Sequence, residues 1–427
     1  MLVVRRLKVW HLRESKFHRR GKNFKTDADG KDHLPLPRRR KRPLPYMHLH
    51  VVSFDIPWPA NYGGVQVVFY QLKALHRLGV QVILHCFRYG ERKPAAALSD
   101  FCREVHYYAR PRSWRQHLST EPFIVQTRKS RALLERLCCD DYPILFEGIH
   151  TAGWLPHPAL RGRRKVLRMH NIEWQYYGRL SGLASSLRER LFFRLESIRL
   201  RRAEARLLPF ADEVLALSPA EAAYFARYSV RTHYLPAFHP YEQVCGLPGK
   251  GEYALFHGKL SVPDNEHAAI WLIQSVFASL PAVRLVIAGT DPSPRLFAAA
   301  VRWPNVALVA NPTEEQMDAL IRQAQVQVLV SFLSTGVKLK LLNALFRGRH
   351  CVVNEPVLSG TPLRPLCTVA NSAADLQQVI RTLMETPFEE RHLAERRALL
   401  EVHYANHLNA RHLTAIIAGE PYSSPGV

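Results

Sequence analysis

Two lysines, Lys338 and Lys340, stand two apart just after Gly336 in "SFLSTGVKLKLLNALF", and Asn343 follows on the same stretch. A third lysine, Lys259, comes directly after Gly258 in "ALFHGKL". Ammonium groups beside a glycine at a helix start suit a phosphate. The first N–H groups of the helix and its dipole attract an anion, and glycine lets the backbone come close. Gly63 and Gly64 in "NYGGVQVV" offer the same close approach at another helix start. His150 in "FEGIH" and His170 in "RMHNIEW" can exchange a proton near neutral pH. Each feature alone has a plainer counterpart: a Gly-Gly pair also makes a tight turn, and a lone histidine is often a core residue. Lys338 and Lys340 cannot both point the same way on a helix. Lys338, nearer Gly336, is expected to face the anion, and Lys340 to lay its stem along the domain surface.

The elements that must carry these residues alternate. "HLHVVSF", "VQVILHCF", "PILFEGIH", "RKVLRMHN" and "EVLALS" read as short apolar strands, mostly with helical stretches between them. "YALFHG", "VRLVIAG", "VALVA", "VQVLVSF" and "HCVVNE" continue the series. Short apolar strands alternating with helices argue for parallel sheets covered on both faces. There are too many strands for one ordinary sheet. A Pro- and Gly-rich break over residues 233–253 divides them into two doubly wound halves. The expected domains are residues 47–235 and 250–400, with a C-terminal helix and tail over 401–427. In such sheets ligands lie beyond the C-terminal strand ends. His150, His170, Gly258 with Lys259, Gly289 and the Gly336 loop all fall there.

The chain has 427 residues and a formal net charge of +23. Residues 1–46 hold 15 Lys and Arg against four acids, a net of +11. This leader shows no apolar periodicity and is expected to be disordered. Three readings stay open for it: translated sequence upstream of a true start at Met47, a tether to nucleic acid or membrane, or an inert tail. No run of about 20 apolar residues is present, so no transmembrane helix is expected, and the N-terminus lacks the apolar core of a secretory signal. The seven cysteines are scattered without metal-binding spacing, which points to reduced cysteines in a cytoplasmic protein. Nucleic-acid binding rests on charge alone, because no aromatic-basic motif accompanies it.

Taken in order, these loops resemble those of retaining glycosyltransferases of the GT-B fold, the large family 4 group. "YGGVQVV" looks like that family's glycine loop. "FEGIHTAGWLPHPALRGRRKVLRMHNIEWQYYGRL" is similar to its strand-end histidine segments. "ALFHGKLSVPDNEHAAIWLI", "VRLVIAGTDP" and "STGVKLKLLNALFRGRHCVVNE" follow in the family's order. The resemblance spans roughly residues 47–400 and implies two Rossmann-like domains facing across a cleft. It implies that Gly63 and Gly64 face the donor diphosphate and the acceptor, that His170 lies near the transferring sugar, and that Gly258 and Lys259 meet the diphosphate. The family's second basic residue is replaced here by "SVPDNEH", so Lys338 or Lys340 must supply that charge. The family's two glutamates, with seven residues between them, fall on Thr335 and Asn343. Asn343 can still bond ribose hydroxyls but loses a charged contact, on the order of 1–3 kcal/mol. The implied reaction moves a sugar from a nucleoside-diphosphate sugar to a glycan or lipid-linked acceptor, with retention and without a metal or other cofactor. The missing carboxylates leave a second reading open, a non-catalytic relative acting as a binding or scaffold subunit.

One helix bears on location. "LRERLFFRLESIRLRRAEARLL" places Leu187, Leu191, Leu195, Ile198 and Ala205 on one stripe bordered by arginines. It reads either as a packed helix of the first domain with a solvated far face, or as a basic surface for anionic lipid on the inner face of a membrane.

Overall fold

The computed structural model describes residues 47–421 apart from Tyr89, Glu91, Arg112, Trp114, Arg115, His117, Leu118, Ser185, Val230, Ser334, Thr335 and Val337. The expectations for the leader and for Thr335 lie outside the described residues.

Two all-parallel sheets carry the fold. The first has seven strands in the order β3-β2-β1-β4-β5-β6-β7. These are β1 (His48–Ser53), β2 (Gln81–Phe87), β3 (Glu104–Tyr108), β4 (Ile144–Glu147), β5 (Lys165–Met169), β6 (Glu213–Ala216) and β7 (Thr232–Tyr234). The second has six strands in the order β10-β9-β8-β11-β12-β13. They are β8 (Ala254–Lys259), β9 (Leu285–Thr290), β10 (Val306–Ala310), β11 (Val326–Leu329), β12 (His350–Val353) and β13 (Thr368–Val369). Each order reverses direction once, between β1 and β4 in the first sheet and between β8 and β11 in the second. Those are the points where strand-end loops part and leave a crevice.

The strands read as apolar runs because both faces are covered. All of β4 and β5 is buried, and so is β6. Helix Gly63–Arg77 buries Val65, Val68, Leu72 and Leu75 against β1 and β2. The last helix, Asn406–Ala418, returns to the first domain. Its Ala410, Leu413, Ile416 and Ile417 join the same core as Leu49 and Val68. The second domain has its own core, built on Phe256, Ile273, Leu285 and Val328.

The helix Leu187–Leu207 departs from the packed arrangement its leucines suggest. It buries Glu196, Leu200, Ala203, Glu204 and Leu207 instead. Leu187, Leu191, Leu195 and Ile198 face outward, Leu187 being 81% exposed. The two buried glutamates explain the rotation. Glu196 accepts the Phe123 N–H at 2.7 Å and an Arg199 N–H at 2.8 Å, and Glu204 accepts the Tyr224 hydroxyl at 3.1 Å. A buried carboxylate must be satisfied in this way. Fixing two of them on one side fixes which side faces out.

Candidate functional site

In the second domain, Lys259 is the last residue of β8. Its ammonium lies 5.7 Å from the ring centre of Tyr62, the residue before the glycine pair in the first domain. Tyr62 itself is held by a 2.6 Å hydrogen bond from its hydroxyl to Asp55. One lysine therefore reaches from the head of the second sheet to the opening loop of the first.

Lys340 does not lie on the surface as expected. Its ammonium donates to Asn265 Oδ1 at 3.0 Å and to the Val330 carbonyl at 3.3 Å, and sits 4.8 Å from the centre of the Phe256 ring. Asn265 in turn donates to the Lys259 carbonyl at 2.9 Å. Asn265 belongs to the very stretch, "SVPDNEH", that lacks the second basic residue. Lys340 brings an ammonium to that place from the neighbouring helix. Burial pushes it down to about 8, with Asp264 pulling the other way. Lys338 occupies the N-cap of helix Leu339–Arg347. Two residues later the helix has turned through more than half a circle, which carries Lys340 inward.

The loop after β11 is tied down. Ser331 donates its hydroxyl to Asp264 at 2.6 Å, the Phe332 N–H donates to the same carboxylate at 2.9 Å, and Asn354 brackets the Ser331 backbone. The loop then presses on the first domain. Gly336 has φ of +71°, and a Cβ there would stand 2.1 Å from Asn171 Oδ1. Only glycine fits both constraints. Burial raises Glu221, also from the first domain, to about 7, with the Ser218 hydroxyl and the nearby Gly336 backbone pulling the other way.

On the first-domain side, the glycine pair has a packing role. A Cβ on Gly64 would lie 2.8 Å from the Phe54 ring, whereas one on Gly63 would meet Leu339 of the second domain at an ordinary 3.6 Å. The Phe54 ring stands between the two histidines, 5.3 Å from His150 and edge-on to His170 at 5.2 Å. His150 is held well below its ordinary value by burial and by the charges of Arg128 and His170.

His170 heads a buried hydrogen-bond chain. Arg168 donates to Gln71 Oε1 and, at 2.8 Å, to the Pro236 carbonyl. Gln71 Nε2 donates to Glu147 Oε1 at 2.7 Å, and Glu147 Oε2 lies 2.7 Å from His170 Nε2. The directions in this chain are forced. A guanidinium only donates, so Gln71 turns its oxygen to Arg168 and its NH₂ to Glu147. A carboxylate only accepts, so His170 must present Nε2–H. In a ring without the second proton the lone pair is then on Nδ1, which has no protein partner among the described residues. Burial pushes the Glu147 carboxyl up, but the His170 bond and the charges of His170 and Arg168 outweigh it and hold Glu147 below the usual carboxylate range. Glu147, Gln71, Asp264 and Asn265 were not singled out from the sequence. The one available signal was a glutamate closing an otherwise apolar strand in "ILFE".

The expected site residues are thus not all in one place. Lys259 lines a cavity of about 640 Å³ with Asp55, Asn61, Tyr62, Arg92 and Lys93. Asn343 lines a separate cavity of about 650 Å³ with Gln66, Tyr70, Glu314, Asp318 and Arg347. Gly258 and Lys340 both lie beside Asn265. Among the described residues no cluster of three His, Cys, Asp or Glu side chains is placed to hold a metal ion. No helix among them is long and apolar enough to cross a membrane.

Two parallel Rossmann-like sheets whose strand ends meet through Lys259, Gly336 and Asn171 define a GT-B protein, and the comparisons with known proteins give its activity. Residues 62–236 match the model of Glycosyltransferase Family 4, and residues 251–385 match that of Glycosyl transferases group 1. The chain is a glycosyltransferase, and it belongs to this family 4/group 1 kind. A protein of the cps region of Klebsiella pneumoniae, uncharacterized and of 44.6 kDa, is 26% identical over 317 residues, covering 69% of this chain and 79% of that one. The sucrose-phosphate synthase of Thermosynechococcus elongatus superposes with a TM-score of 0.64 at 16% identity, over 87% of this chain and 98% of that one. Anabaena HepE, solved with UDP and glucose, gives 0.58 at 12% identity, over 88% and 100%. At these identities the structural likeness is one of fold.

Proposed function

We propose that the chain transfers a sugar from a nucleoside-diphosphate sugar to a glycan or lipid-linked acceptor on the cytoplasmic side of a membrane, with retention and without a metal ion. The observation that carries the donor reading is the pair of lysines, Lys259 and Lys340, at the switch point of the second sheet, where Asn265 accepts from the Lys340 ammonium and donates to the Lys259 backbone carbonyl. Charge that grows on a departing nucleoside diphosphate is stabilised by preorganised cations of this kind. Two of them make a divalent ion dispensable. UDP or UDP-glucose in the HepE complexes, and UDP-2-fluoro glucose in the trehalose-6-phosphate structure from E. coli, support a nucleotide-sugar donor. A glycan acceptor agrees with the relative from the cps region. The comparisons do not favour a non-catalytic scaffold.

His170, with its lone pair on Nδ1, is assigned to a hydroxyl of the donor sugar. Asn343 and the cavity it lines are assigned to the ribose. Thermal-shift measurements against UDP-, GDP-, ADP- and dTDP-sugars, followed by calorimetric titration of the best ligand, test the donor. A specific ligand should raise the melting point by mass action. No shift with any nucleotide sugar, alongside no binding of the free diphosphates, would refute the reading.

A further inference from the structure

We propose that the outward face of helix Leu187–Leu207 docks on an anionic lipid bilayer. Leu187, Leu191, Leu195 and Ile198 lie within an arc of about 80° at 3.6 residues per turn. They are 81%, 60%, 44% and 46% exposed. Soluble surfaces seldom leave such a row uncovered unless something binds there. The buried glutamates on the opposite side hold the helix in this rotation, so the exposure is built into the packing.

Charge complementarity selects the occupant. Arg188 borders one edge of the row, Arg190 and Arg194 border the other, and Arg202 continues it one turn beyond Ile198. All four are exposed and make no ion pair among the described residues. An apolar strip set between arginines is the pattern of a helix lying in a membrane interface, with leucines at the acyl boundary and guanidiniums at the phosphates. A second copy of this chain fits poorly. Two-fold pairing would bring arginine rows together, with Glu189 the one exposed acid on the helix to oppose them. The helix packs along Glu173–Leu183, which starts beside His170 and Asn171. A bilayer under it would hold a lipid-borne acceptor near the cleft. Only that purpose rests on the proposed acceptor; the docking itself does not.

The test is co-sedimentation of the full chain with vesicles of phosphatidylcholine, alone or mixed with phosphatidylglycerol. The expected result is binding to the mixed vesicles only. Leu191→Ser/Ile198→Ser should weaken it at least about tenfold, and so should Arg188→Gln/Arg194→Gln/Arg202→Gln. These positions are exposed, so the fold should survive. The basic leader is the same in every protein compared. Wild-type binding retained in both variants would assign attachment to other basic residues and overturn the proposal. So would no binding to either vesicle, or a dimer in sedimentation that Leu191→Ser/Ile198→Ser abolishes. No arm contains a nucleotide sugar, so failure of the donor reading and failure of the docking are told apart.

Discussion

Replacing Glu147 by Gln tests whether the buried chain sets up His170. The change is nearly isosteric, yet it reverses one polarity. Arg168 fixes the Gln71 oxygen on itself, so the Gln71 NH₂ still points at residue 147. The new amide must meet it with oxygen, which leaves its own NH₂ facing His170. The ring can accept that bond only as the Nδ1–H tautomer, and the lone pair on Nδ1 is lost. The site forfeits one hydrogen bond of the charge-assisted kind, about 1.5–3 kcal/mol. In turnover that is roughly a 10- to 150-fold fall in kcat. KM for the donor should change little if the bond forms mainly as the sugar leaves. The assay is release of nucleoside diphosphate from the donor found by thermal shift, with far-ultraviolet circular dichroism to show folding. Two-dimensional proton–nitrogen spectra of histidine-labelled protein read the tautomer directly. Glu147→Gln/His170→Gln should be no slower than His170→Gln alone, because both act through one group. A wild-type His170 with its proton on Nδ1, or additive losses in the double variant, would refute the reasoning.

Three further outcomes follow from the same geometry. Lys340→Ala should weaken binding of the free nucleoside diphosphate by about tenfold or more, and Lys338→Ala by less. The wild-type affinity, read by calorimetry, should fall as pH rises past about 8, where Lys340 loses its proton. His239 and His257 are held at about 4 and about 3 by burial. The unfolded chain therefore binds protons first, and their stabilisation, complete above pH 6.5, is lost on acidification at about 2 kcal/mol each by pH 5. Glu173, Glu204 and Glu221, raised by burial to about 7, 8 and 7, act the other way and lose stability as pH rises through those values. Urea midpoints should fall as pH rises from about 6.5 to 8, where the histidines no longer titrate and the carboxyls still do, and no fall there would contradict these burials. Gly336→Ala should cost about 1–2 kcal/mol from its left-handed backbone alone. Adding Asn171→Gly, which removes the clash, should recover part of the loss in the same urea titration.

The sequence by itself determined the strands that are covered on both faces. β4, β5 and β11 are buried throughout, and the apolar residues of "PILFE", "RKVLRM" and "VQVLV" that this requires are visible without any partner. It also determined the strand-end positions of Lys259 and His170, since those follow from where a run stops. Three of the four edge strands escaped. β3 is "EVHYY" with one buried residue of five, β7 is "THY", and β13 has two residues, neither of them buried. An edge strand packs on one side only, so its composition is not distinctive. Two further matters were settled by tertiary structure alone. The leucine row of Leu187–Leu207 has a helical period whichever side packs. Its outward setting was decided by Glu196 and Glu204 finding donors 73 and 20 residues away in the chain. The inward turn of Lys340, likewise, was decided by Asn265, a residue 75 positions earlier that the fold brings to 3.0 Å. Periodicity records that a side chain has a face. Which face is buried depends on the polar groups that wait there, and those come from distant parts of the chain.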